Sequence, residues 1–213
     1  MKKIIRAPYI DQTKEYPTGC ESVSAVMLLR YLGISITVDE FIENNLEKEE
    51  MSWKEGRLCG PDPFQCFAGN PYDSDSFGCY APVIVKALNK TFADKALNFT
   101  AVDLTKTPAK ELTAQFLDQD MPVVYWASID LKETVAGPDW QLKDGSVFSW
   151  ISNEHCMLLV GYDEESYYFN DPWQNHGCIA YPKALVEQRH KEQLEMAVGV
   201  LRQPFGRKRN KIV

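Results

Sequence analysis

Apolar residues follow a helical period in the first part of the chain and strand patterns in the second part. Between positions 23 and 31 they recur every three or four residues, which predicts a buried helix that ends near Gly33. The same reasoning predicts helices at 41–46, 81–92, 107–117 and 182–194, and strands at 99–104, 122–129, 155–162, 167–170 and 197–201. Thr37 and Glu40 have the spacing of a capping box, which opens the first of these helices. Asp144-Gly145 marks a hairpin between two further strands. Helices followed by mostly antiparallel strands predict an α+β fold.

The first predicted helix begins beside a cysteine. Thr18 and Glu21 have the spacing of a capping box, so Cys20 falls in the first turn. A helix N-terminus carries partial positive charge, which favours the thiolate form of cysteine. Glu21 opposes the thiolate unless its capping role turns it toward Thr18, and Gly19 leaves space for a substrate backbone. Cys20 is therefore a candidate nucleophile, which we expect iodoacetamide to modify before the other cysteines; the alternative is a buried structural cysteine.

Residues 51–79 interrupt the pattern of helices and strands. They are rich in glycine and proline, which predicts a long irregular loop, and their aromatic residues indicate that this loop is ordered and packs on the body. We find no internal repeat, so residues 1–213 are expected to form a single domain. Residues 204–213 are expected to form a flexible basic tail.

The charge balance narrows the classes of partner. The 213 residues include 30 acidic and 23 basic side chains, a formal net charge of −7, so we expect no nucleic acid partner. No apolar run is long enough to predict a membrane-spanning segment. The start of the chain lacks the apolar stretch of a signal peptide. The protein is then cytoplasmic, or it is extracellular or at the cell surface if a targeting segment has been removed; the sequence leaves both open.

A histidine at the start of an apolar strand is a second candidate. His155 precedes a run that is predicted to be buried on both faces, so its ring needs a polar partner. Asn170 and Asp171 end the next strand. A four-residue turn would pair Tyr162 with Tyr167 and favour Asn170, whereas a five-residue turn would favour Asp171. Spacing alone leaves this choice open, and a satisfied core histidine is the alternative.

The other histidines and the cysteines give weaker signals. His190 lies in a charged helical segment and is predicted to be solvated. The six cysteines form no CxxC pair, so a structural zinc site is not expected. A metal site is disfavoured further because adjacent strand residues point to opposite faces. The set considered for such a site is Cys20, His155, Cys156, His176 and Cys178. We therefore predict neither a metal nor a cofactor.

Several motifs together resemble papain-fold cysteine peptidases of the bacteriocin-processing, double-glycine peptidase-like group, in particular stand-alone bacterial members. The matching segments are Asp11-Gln12 and residues 16–25, 77–82, 154–163 and 170–173. The resemblance extends from about residue 8 to about residue 200. It implies an α+β papain-like fold in which an N-terminal helical part carries the cysteine and an antiparallel sheet carries the histidine and the aspartate.

The resemblance also implies roles for individual residues. Cys20 resembles the nucleophile, His155 the general base and acid, Asp171 the residue that orients the histidine, and Gln12 the oxyanion-hole side chain. This favours Asp171 over Asn170 and therefore the five-residue turn. Residues expected to contact substrate are Gly19, Glu154 and Trp173.

The resemblance implies cleavage of peptide bonds through a thiol acyl-enzyme, with a peptide or protein as substrate. One alternative keeps the site and changes the bond, as in an amidase or acyltransferase that acts on peptidoglycan or small peptides. A second alternative is a catalytically inactive binding protein on the same fold.

Overall fold

The computed structural model describes residues 2–203, and this part of the chain contains five α-helices. They are α1 (Cys20–Tyr31), α2 (Val38–Asn44), α3 (Ala81–Asp94), α4 (Ala109–Gln115) and α5 (Lys183–Glu192). Each matches a helix predicted from apolar periodicity, with ends shifted by a few residues. The basic tail predicted for residues 204–213 lies outside the described residues.

Seven antiparallel strands form the main sheet. They are β1 (Lys3–Ile4), β6 (Phe99–Asp103), β7 (Val123–Ser128), β10 (Glu154–Tyr162), β11 (Ser166–Asp171), β12 (Gly177–Pro182) and β13 (Ala197–Arg202). Their order is β12-β11-β10-β7-β13-β6, and β1 pairs with β10. The helices that precede most of these strands and the antiparallel pairing confirm the α+β prediction.

Residues 51–79 are not the wholly irregular loop predicted from their glycines and prolines. They contain the strands β3 (Ser52–Lys54), β4 (Arg57–Cys59) and β5 (Phe67–Ala68). β5 pairs with β2 (Lys48–Glu49), while β3 and β4 join the hairpin of β8 (Val135–Gln141) and β9 (Val147–Ser152) in a four-stranded sheet. Three-residue strands carry too little periodicity to be recognised from sequence, and they form because a distant hairpin supplies their partner.

Aromatic packing holds this second sheet against the rest of the segment, as the sequence predicted. The Phe77 ring lies 4.8 Å from the Trp140 ring and 5.7 Å from the Trp150 ring, measured between centroids. Tyr80 stacks on Trp150 at 5.4 Å. The segment that precedes α3 is therefore fixed to β8 and β9, and β9 leads directly into β10.

Helix α1 packs across the middle of the main sheet. Its residues from Cys20 to Leu29 are buried, and the Ser24 hydroxyl donates a hydrogen bond to the Cys156 carbonyl on β10 at 3.2 Å. β7 is buried along its whole length, and its Trp126 indole donates to the Cys79 carbonyl at 3.3 Å. These contacts bring the start of α1 to the start of β10.

His190 is buried, which corrects the prediction that it is solvated. Helix α5 covers β7, so the imidazole stacks on Tyr125 with 4.0 Å between ring centroids, and its Nδ1–H donates to the Trp126 carbonyl at 2.8 Å. Because most neighbours of His190 in the sequence are charged, the sequence pattern did not show that this position faces the interior. Burial lowers the pKa of His190 to about 4.

We expect His190 to make the fold sensitive to acid. The unfolded chain takes up a proton at the ordinary histidine pKa, whereas the folded chain resists it, so stability falls as the pH drops from about 6.5 to 4. Relative to His190→Asn, which keeps a donor for the Trp126 carbonyl, the wild type should lose about 3 kcal/mol over this range. Urea unfolding of both proteins at pH 7.5 and pH 4 measures the difference. Equal losses in the two proteins would contradict the assignment.

Within residues 2–203, no helix has both the length and the apolar composition that crossing a lipid bilayer requires.

Candidate active site

Cys20 is the first residue of α1, as the sequence predicted, and is 5% exposed. Gly19 is the N-cap residue. A side chain at Gly19 would meet Tyr16 Cβ at 2.9 Å and Pro71 Cβ at 3.3 Å, so the tight turn itself requires glycine. The expected contact of Gly19 with substrate stays a prediction.

The capping box predicted for α1 is absent. The Thr18 hydroxyl lies 3.3 Å from the Asn70 carbonyl oxygen and 3.0 Å from that of Asp73, and α1 has no side-chain cap. By contrast, Thr37 and Glu40 form the second predicted capping box at the start of α2. Sequence spacing does not distinguish the two cases, because a tertiary contact to the 70–73 turn engages Thr18 and leaves Glu21 without its expected partner.

Glu21 instead points into the interior beside the cysteine. It is fully buried; its Oε1 accepts the Cys79 backbone N–H at 2.6 Å, and its Oε2 accepts the Cys20 thiol at 3.3 Å. A side chain at Gly78 would come within 2.6 Å of Glu21 Oε1. Glu21 is therefore in direct contact with the Cys20 thiol. The predicted capping box would instead have turned Glu21 toward Thr18.

A second carboxyl group completes this cluster. One ligand-type atom each of Cys20, Glu21 and Glu154 lies within 4.8 Å of the others. Burial raises the pKa of Glu21 to about 7; burial and then the charge of Glu21 raise the pKa of Glu154 well above its usual value. Burial, followed by the charges of Glu21 and Glu154, also raises the pKa of Cys20, against a smaller opposing effect of the Cys156 backbone. Cys20 is therefore a neutral thiol that donates to Glu21.

This cluster differs from the metal-ligand set considered from the sequence. Its thiol sulfur and the oxygens of its two carboxyl groups are atoms of the kind that metal ions accept as ligands. His155 and His176, members of the earlier set, both turn toward Asp171 instead.

His155 is the second residue of β10 and is hydrogen-bonded to Asp171. Its Nε2 lies 2.7 Å from Asp171 Oδ1, and the two residues are 2% and 0% exposed. Although burial alone would raise the pKa of Asp171, hydrogen bonds from His155, His176 and the Trp173 amide hold it well below its usual value. The aspartate is therefore an anion that accepts hydrogen bonds from the imidazole.

The strand register explains why Asp171, and not Asn170, meets His155. Tyr162 pairs with Tyr167, so the turn has four residues and the five-residue turn favoured by the resemblance is wrong. A bulge between Leu159 and Gly161 then shifts the register, so that Leu158 pairs with Asn170. The extra residue reverses the parity that the turn had set and places Asp171 on the same face as His155.

Asn170 has a different task. Its side-chain amide donates to the Ala7 and Pro8 carbonyls, each at 3.1 Å, and so ties the N-terminal segment to β11.

Two partners of Asp171 were missed by the sequence reasoning. His176 Nδ1 lies 3.0 Å from Asp171 Oδ2, and the Tyr181 hydroxyl donates to the same oxygen at 2.8 Å. Both residues belong to the segment around β12, which was not predicted as a strand. The β-favouring residues Ile179 and Tyr181, two positions apart, are the signal that could have identified it.

Gln12 is buried next to the same region. Its backbone N–H donates to the Pro172 carbonyl at 2.9 Å, while its side-chain Nε2 donates to the carbonyls of Tyr16 and Pro17 at 3.3 and 3.2 Å. Its Oε1 is buried and has no hydrogen-bond partner among residues 2–203. Gln12 thus bridges the turn before Cys20 and the segment after Asp171, and its role at an oxyanion stays a prediction.

Trp173 is half-buried, and its backbone amide donates to Asp171 Oδ1 at 3.0 Å. This contact helps to orient the aspartate. Whether the indole touches substrate stays a prediction.

The Cys20 thiol and the His155 imidazole are not hydrogen-bonded to each other. Cys20 lies against both sequence neighbours of His155, namely the Glu154 carboxyl group and the Cys156 backbone. Within residues 2–203, the Cys20 thiol bonds to Glu21 and His155 bonds to Asp171. Acyl transfer would require the thiol to turn from Glu21 toward His155.

Comparisons with known proteins agree with this arrangement of helix and sheet. Residues 4–197 match the sequence profile of the Peptidase_C39 like family. A crystal structure from Bacillus anthracis, classed as a C39-like peptidase, has a TM-score of 0.81 and 27% identity over 95% of this chain and 98% of that chain. A double glycine motif protease from an AMS/PCAT transporter, in complex with the leader peptide, has a TM-score of 0.47 and 14% identity over 96% of this chain and 99% of that one.

A curated relative is known from Bacillus subtilis (strain 168). This uncharacterized protein, YvpB, is 29% identical over 157 residues, which make up 73% of the present chain and 58% of the relative. The chain therefore aligns with a little more than half the length of that relative.

Proposed function

Because the chain belongs to the Peptidase_C39 like family, we propose that it is a cysteine peptidase that cleaves peptide bonds through a thioester on Cys20. The observation that carries this proposal is the buried His155–Asp171 pair, with 2.7 Å between Nε2 and Oδ1. The residues on either side of His155 lie against Cys20, which begins helix α1. A cysteine, a histidine and a carboxylate are the groups that thiol acyl transfer needs.

Activation begins with a rotation of the Cys20 side chain from Glu21 toward His155. The Asp171 carboxylate accepts from His155 Nε2, so that nitrogen carries a proton and Nδ1 is free to take the thiol proton. Asp171 then stabilises the imidazolium, and the N-terminus of α1 stabilises the thiolate. Protonation of the Glu21 and Glu154 pair removes the charge that opposes the thiolate.

The thiolate attacks the carbonyl carbon of the substrate, and a tetrahedral oxyanion forms. The Cys20 backbone N–H and the Gln12 amide are the proposed donors, a contribution of about 3–4 kcal/mol per donor in known cases. Gln12 must first exchange its bonds to the Tyr16 and Pro17 carbonyls. His155 gives its proton to the leaving amine, and water then hydrolyses the thioester.

Substrate binding requires this site to open, because Cys20 is 5% and His155 only 2% exposed. We propose that the substrate is a peptide or protein whose backbone passes the start of α1. The proposed contacts are Gly19 and Glu154, which directly precede Cys20 and His155, and Trp173, which follows Asp171 by two residues.

A peptide-library digestion tests the function. The wild-type protein should release peptides with new amino and carboxyl termini, identified by mass spectrometry, and Cys20→Ala should release none. Ammonia release or transfer to an added amine, without cleavage of internal peptide bonds, would replace the peptidase by an amidase or acyltransferase. Failure to form any covalent adduct with a peptidyl electrophile would favour an inactive binding protein.

A further inference from the structure

Asp171 holds two histidines at once. Its Oδ1 accepts from His155 at 2.7 Å and from the Trp173 amide at 3.0 Å, while its Oδ2 accepts from His176 at 3.0 Å and from the Tyr181 hydroxyl at 2.8 Å. We propose that His176 is a positioning residue that sets the orientation of His155 through Asp171. This inference rests on the proposed peptidase function of the same site.

The hydrogen-bond donors define the proton positions. An ionised carboxylate can only accept, so the nitrogens that face it, Nε2 of His155 and Nδ1 of His176, both carry hydrogen. The neutral His176 ring then keeps its lone pair on Nε2, which lies 3.9 Å from Asp130 Oδ1. His155 keeps its lone pair on Nδ1, the nitrogen that must accept the Cys20 proton.

The geometry gives His176 a steric effect on the pair of Asp171 and His155. With Oδ2 held by His176 and Tyr181, the carboxylate plane cannot turn freely, and Oδ1 stays on His155. Loss of the His176 donor should therefore loosen the hydrogen-bonded pair of His155 and Asp171.

Two substitutions separate the positioning role from simple packing. His176→Ala removes the donor, whereas His176→Asn places an amide nitrogen near the position of the ring Nδ1. For His176→Ala we expect kcat to fall roughly tenfold at neutral pH with little change in KM. His176→Asn should restore kcat to within about threefold of the wild type, because it keeps a donor for Asp171 Oδ2.

Cys178→Ser is the matched control, because Cys178 is exposed on β12, two residues from His176, and pairs with Asn170. It should leave kcat and KM unchanged. If His176→Ala does not fold, Tyr181→Phe removes a donor from the same oxygen and should also lower kcat with little change in KM.

The inference is overturned if His176→Ala keeps the wild-type kcat, or if the alanine and asparagine variants lose activity equally. Either result, obtained with an active and Cys20-dependent wild type, leaves the peptidase function standing. A wild type that cleaves no peptide, or a Cys20→Ala protein that remains active, would overturn the proposed function instead.

Discussion

Cys20→Ala is expected to reduce peptide cleavage by at least about a thousandfold while the protein stays folded. The substitution removes the sulfur on which the thioester forms, and residual binding contacts cannot replace a nucleophile. Its structural cost is small, because it removes one thiol hydrogen bond to Glu21, worth about 1 kcal/mol. Turnover of a cleaved library peptide and thermal unfolding of the same preparation measure the two effects.

A second cysteine provides the comparison. Cys178 is exposed on β12, so Cys178→Ser should retain wild-type turnover and stability. If Cys20→Ala retained more than about one-tenth of the wild-type turnover, acyl transfer through this residue would be ruled out. Loss of activity accompanied by unfolding would indicate that Cys20 serves packing, the alternative weighed from the sequence.

Glu21→Gln is expected to change how stability depends on pH. Folding raises the pKa of Glu21 to about 7, so the unfolded chain releases this proton at lower pH than the folded chain does. The stability present in acid is therefore lost as the pH rises from about 4.5 through 7. Relative to Glu21→Gln, the wild type should lose about 3 kcal/mol between pH 4 and pH 8. The loss that burial of Glu154 causes is common to both proteins and cancels in this difference.

Urea unfolding of both proteins at the two pH values measures this loss. Glutamine keeps an oxygen to accept the Cys79 amide, so the fold should be preserved. Glu111→Gln, at an exposed position on α4, is the matched control and should follow the wild type at both pH values. Parallel behaviour of the wild type and Glu21→Gln would mean that Glu21 titrates as an ordinary surface carboxyl group.

The same variant reports on the thiol. Because the charge of Glu21 raises the pKa of Cys20, Glu21→Gln should accelerate alkylation of Cys20 by iodoacetamide, about tenfold for each unit by which the thiol pKa falls. In the wild type, exposed Cys178 should react before buried Cys20. This order is the reverse of that expected from the sequence, since the sequence reasoning had turned Glu21 away from the thiol.

The family and the fold class were accessible from the sequence. The comparisons confirm the family predicted from the motifs around Cys20, His155 and Asp171. Helical periodicity depends on neighbours three or four residues away, and strand periodicity on neighbours two residues away. The helices and the long strands could therefore be identified from the sequence alone. The capping box of α2 is equally local and was predicted correctly at Thr37 and Glu40.

Only the tertiary structure decided which groups surround the thiol and the imidazole. Thr18 is engaged by the 70–73 turn, which sends Glu21 inward to Cys20. One bulged residue in β10 reverses the face that the turn had set and brings Asp171 to His155. The first outcome depends on contacts between segments that are distant in sequence, and the second on a single extra residue in a strand. Neither can be predicted from local periodicity.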